Sequence, residues 1–131
     1  MSTVEDVRFV VQNFGADASL ITNLIGLDPS VIASAGWSST VGGHLDSQVA
    51  WILAPEGRRR RPASVKLVEL IKTLEIHSQG VSRVAEKFEA YVEVSFERKQ
   101  LNRSRPLLIE IPPDTIHALG RLGVALRFQG I

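Results

Sequence analysis

The 131-residue chain contains no cysteine. Disulfides, thiolate catalysis and cysteine zinc sites are therefore excluded, and a reducing cytoplasm is the expected setting. Long apolar runs are missing as well. The longest falls short of the roughly 20 residues a membrane helix requires. The opening Met1-Ser2-Thr3-Val4-Glu5-Asp6 is acidic and leads into a strand, so no signal peptide is expected. An excess of charge of one sign is missing too: the net charge is +1, which implies no global pull toward nucleic acid or acidic membranes. The three histidines, His44, His77 and His117, never stand three or four residues apart, so no helix presents a metal pair. Gly42-Gly43 lacks the lysine of a phosphate loop. No cofactor or metal is expected, and the chain reads as non-enzymatic.

What is present points to one domain over residues 1–131 with a single core. Val7, Phe9 and Val11 alternate with Arg8, Val10 and Gln12 and predict a first strand running to Phe14. Asp17 is placed to cap a helix striped by Leu20, Ile21, Leu24 and Ile25, with Gly26 at its end. Ser30 to Gln48 reads as a long irregular loop with a helical turn near Pro29–Ala33. Val49–Ala54 is a second strand. Ser64 is the expected cap of a helix carrying Val65, Leu67, Val68, Leu70, Ile71 and Leu74, and Gly80 is its expected breaker. Val81, Val84, Ala85 and Phe88 predict further helical turns. Tyr91–Arg98 and Leu107–Ile111 read as strands three and four. Pro113 or Asp114 opens a last helix with Ile116, Leu119 and Leu122 inward, Gly123 ends it, and Val124–Phe128 is the fifth strand.

The order β-α-β-α-β-β-α-β predicts an α+β fold. It is a ferredoxin-like, mainly antiparallel sheet of about five strands with helices on one face. The opposite face is expected to carry Arg8, Glu93, Glu97, Glu110 and Arg127 among the apolar Val10, Ala50, Ile52, Tyr91 and Leu108.

The stretch Asp17-Ala18-Ser19-Leu20-Ile21-Thr22-Asn23-Leu24-Ile25-Gly26-Leu27-Asp28-Pro29 resembles the bacterial "domain of unknown function 4279" family. That family has an acidic residue, then Ile-Thr, then Leu-Gly-Leu-x-Pro after its first strand. Trp51 resembles the tryptophan of its second strand, and Leu122-Gly123-Val124-Ala125-Leu126-Arg127-Phe128 is similar to its C-terminal ending. The chain departs from the pattern at Gln129-Gly130-Ile131, where an acidic residue and an aromatic are usual, and in its arginine-rich loop. The resemblance implies a fold and no reaction. An immunity or accessory role is an expectation attached to it.

Two groups of residues are candidate sites. Arg58, Arg59, Arg60 and Arg61 form an anion-binding run, with a solvated loop favoured over nucleic acid because aromatic interleaving is scant. Arg8, Ile52, Tyr91, Glu93, Glu97, Glu110 and Arg127 form a partner-contact face, in which the arginines neutralise the carboxylates. The expected function is a protein-interaction module, with self-association through this face or a strand edge as one form. The alternatives are a small-ligand regulatory module and a nucleic-acid accessory protein using the arginine run. No membrane role is expected.

Overall fold

The computed structural model describes residues 5–15, 17–33, 49–55, 62–96 and 109–130. The described elements run β1 (Glu5–Gln12), α1 (Ala18–Ile25), β2 (Val31–Ala33), β3 (Ala50–Leu53), α2 (Ala63–Ile76), α3 (Ser78–Lys87), β4 (Glu89–Phe96), α4 (Pro113–Leu122) and β5 (Ala125–Gly130). The strands form one five-stranded sheet in the order β2-β3-β1-β4-β5. The neighbours β2–β3, β3–β1 and β1–β4 are antiparallel, whereas β4–β5 is parallel. The sheet is therefore mixed. The helix α4 supplies the crossover that a parallel pair requires.

Alternation along the strands sorts their side chains onto two faces. Val7, Phe9, Val11, Trp51, Val92 and Val94 share one face and join the main buried core. All four described helices contribute to that core, through Ile21 and Ile25, Leu67 and Leu74, Val81 and Val84, and Leu119 and Leu122. The expectation of helices on one face holds for the described helices. Trp51 is fully buried, meets Phe9 edge-on at 6.1 Å, and donates its indole N–H to Thr22 Oγ1 at 3.0 Å. It thereby ties β3 to α1.

Local chemistry explains the helix ends. Asp17 Oδ1 accepts from the Ser19 N–H at 3.1 Å and caps α1. Gly26 (φ 85°) and Gly123 (φ 72°) close α1 and α4 in the left-handed region. Alanine at either position is expected to cost about 1 kcal/mol, because a Cβ is disfavoured there. Urea unfolding of each variant checks this, and an unchanged midpoint for both would refute the cap assignment.

Several expectations are corrected. Ser64 does not cap α2: the helix opens at Ala63 after Pro62, and Ser64 lies inside it. Gly80 does not break a helix. The break comes at His77, whose N–H reaches back to the Leu74 carbonyl, and Gly80 lies within α3. Ile116 is exposed rather than inward. Val31–Ala33 is a strand, not a helical turn, paired to β3 in the register Val31↔Ile52. The remainder of the expected loop, 34–48, lies outside the described residues. Of the expected strand Leu107–Ile111, residues 109–111 form no strand, and Leu107 and Leu108 lie outside the described residues. Ile111 precedes Pro112, which biases it to an extended conformation without requiring a ladder.

Candidate functional site

The second face of the sheet is built by the other half of each alternation. Val10, Ala33, Ala50, Ile52 and Tyr91 form a separate buried cluster there. This corrects the expected open apolar patch. Val10, Ala50, Ile52 and Tyr91 are already buried in a single chain, so they offer no ready surface for a second copy.

Charged side chains sit among these apolar ones. Arg8 on β1 stands opposite Glu93 on β4, and its Nη2 donates to Glu93 Oε1 at 2.5 Å. Glu93 is only 1% exposed, and its Oε2 is buried with no hydrogen-bond partner. A fully buried carboxylate satisfied at one oxygen is costly unless something offsets it. Arg127 on β5 is level with Glu93, yet its Nη2 donates to Glu89 Oε1 at 2.6 Å. Its guanidinium carbon lies 3.8 Å from the centre of the Tyr91 ring, a cation–π stack. Asn13, at φ 65°, donates from Nδ2 to Glu89 Oε2 at 2.6 Å. Both oxygens of Glu89 are thus engaged, and this end of the face is tied down.

The other end is open. A cleft of about 630 Å³ lies beside β2 and β3, with walls that include Asp6, Arg8, Val31, Ala33, Ile52 and Ala54. That volume is in the range of small-ligand sites. Arg8 joins the two regions, since it lines the cleft while holding Glu93. Its side chain keeps 27% of its exposure. Asp6 is exposed, and its Oδ1 accepts from the Val7 N–H at 3.0 Å.

The structure brings together five of the seven expected partner-contact residues: Arg8, Ile52, Tyr91, Glu93 and Arg127. Glu110 is not among them. It lies on the helix side, in a groove with Val65, Val68 and Lys72 of α2. The reason is that residues 109–111 never enter the sheet. Glu97 and the anion-binding candidates Arg58, Arg59, Arg60 and Arg61 lie outside the described residues, as do Trp37 and His44. Among the described residues, no group of three or more His, Asp or Glu side chains is gathered as a metal site. Two contributors were missed by sequence reasoning. Asp6 and Glu89 extend the alternations Asp6-Arg8-Val10 and Glu89-Tyr91-Glu93, and only a wider reading of those two strands would have found them.

The architecture and its second face define a small α+β protein: a five-stranded mixed sheet, the described helices on one face, and an ion pair and a cleft on the other. No described helix is long and apolar enough to cross a membrane. The chain matches the family described as "Domain of unknown function (DUF4279)" over residues 2–130, and it belongs to that family. No curated protein matches it. No solved structure matches it either.

Proposed function

We propose that the chain is a non-catalytic binding module, and that the cleft beside β2 and β3 is where it holds a small ligand. The observation that carries this reading is the cleft of about 630 Å³ with Arg8 in its wall, itself anchored by buried Glu93. An apolar cavity with a few convergent polar groups is the usual form of a ligand site. The face of an open sheet that lies opposite its helices is a familiar place for one, an argument from analogy of fold. A cytoplasmic location accords with a chain that has no cysteine.

A melting-temperature screen against small amphiphiles tests the reading, using the protein and a Val31→Trp variant. Val31 is 56% exposed, so tryptophan there is tolerated by the fold while its ring occupies the cleft mouth. The expected outcome is a ligand-dependent rise in melting temperature that Val31→Trp abolishes. A rise of equal size in the variant would place binding elsewhere.

A protein partner is the second reading. Val31 and Ile32 are 56% and 50% exposed on a strand at the end of the described sheet order. Exposed apolar side chains beside such an edge favour an extended peptide laid along β2. Immunity or accessory roles would use such a contact.

A further inference from the structure

Among the described residues the charges around the cleft do not balance, and the imbalance specifies a head group. At the far end of the face, Glu89 is engaged by Arg127 and Asn13. Among the described residues, the charged groups near the cleft are two carboxylates, Asp6 and Glu93, and one guanidinium, Arg8. Arg8 is committed to Glu93 at 2.5 Å, and Glu93 still has a buried oxygen without a donor. The guanidinium is therefore neutralised from behind. Asp6 remains in the cleft wall, with a backbone N–H on Oδ1 and, among the described residues, no ion-pair partner.

An anionic ligand entering here would compete with Glu93 for Arg8 and would face Asp6. A cationic one meets the net negative charge of these described groups in a partly enclosed site, where water screens it less than at an open surface. Val31, Ala33 and Ile52 supply apolar wall for the rest of the molecule. We infer that the cleft selects an apolar molecule carrying a protonated amine, with Asp6 taking the ammonium N–H groups. Glu93 is a positioning residue here. It acts through Arg8, by keeping that guanidinium unavailable to carboxylates.

This inference rests on the cleft being the binding site, and the experiment separates the two. Three probes share one apolar body: n-hexylamine, n-hexanol and n-hexanoate. Each is titrated into the full chain and followed by amide chemical shifts at neutral pH. Hexylamine is expected to bind on the order of tenfold more tightly than hexanoate. Asp6→Asn, at an exposed position, should erase that preference and leave hexanol binding unchanged. Glu93→Gln should narrow that preference too, because the carboxylate that holds Arg8 from behind is then gone. A purely structural Glu93 would leave the preference unchanged. Hexanoate binding as well as hexylamine in the unaltered protein overturns the inference while leaving the cleft in place. No shift with any probe removes the cleft and the inference together. Should Glu93→Gln fail to fold, Asp6→Asn still decides: an undiminished preference for hexylamine refutes the role of Asp6.

Discussion

Replacing Gly80 with alanine is expected to destabilise the protein by about 3 kcal/mol, the upper end for forcing atoms into a packed interior. Gly80 lies in α3 where that helix crosses the end of α1. A Cβ on Gly80 would stand 2.2 Å from the Leu24 carbonyl oxygen and 2.8 Å from the Ile25 Cα. Both atoms are backbone, so no side chain can rotate away. The helices must separate, and Ile21, Ile25, Val81 and Val84 would lose their mutual packing in the core. Helix propensity works in the opposite direction: alanine is better than glycine in a helix interior by about 1 kcal/mol. The steric term wins because it acts on backbone that cannot yield locally. For a domain of this size the melting temperature should fall by roughly 10 °C. A stabilised Gly80→Ala protein would show that the α1–α3 approach is wrong. Gly120 is the control, since it lies in α4 with nothing within 4 Å of its ideal Cβ. Alanine there should stabilise slightly.

Removing Arg8 is the second large effect. Arg8→Ala leaves the buried Glu93 side chain with neither oxygen paired across the face. Truncating one partner of a buried ion pair costs about 3–5 kcal/mol, and the part-exposed guanidinium places this pair at the lower end. The double variant Arg8→Met, Glu93→Leu should be more stable than Arg8→Ala, because it removes the stranded carboxyl group and fills the space. Chemical denaturation of the two variants measures this. If Arg8→Ala were near neutral, or the double variant the worse of the two, the pair would not be the buried anchor of this face.

These two residues also show what a sequence can and cannot disclose. Gly26 and Gly123 were legible because their reason is local: an apolar stripe ends and the chain must reverse, which favours a left-handed residue. Gly80 was misread as a breaker because its reason is tertiary. Nothing within α3 announces that the backbone at Leu24 will pass within reach. The faces of β1 and β4 were legible by alternation, and so was the meeting of Arg8 with a carboxylate. The register was not, so Arg127 was grouped with the wrong glutamates and Glu89 was overlooked. The strand β2 escaped notice because three residues are too few for a period and its neighbours are Ser, Gly and Ala. Residues 109–111 of the expected strand Leu107–Ile111 misled in the opposite sense. Their apolar alternation suits a strand, yet Ile109 and Ile111 pack against the main core from an irregular segment leading into α4.

The central claim is that binding belongs to the face at β1, β2 and β3 that lies opposite the described helices. The direct test is a map of amide chemical-shift changes on titration with n-hexylamine. The predicted result is a cluster of changes at Arg8, Val31, Ala33, Ile52 and Ala54, around the cleft. Changes concentrated instead at Val65, Val68 and Glu110, in the groove on the helix side, would contradict it.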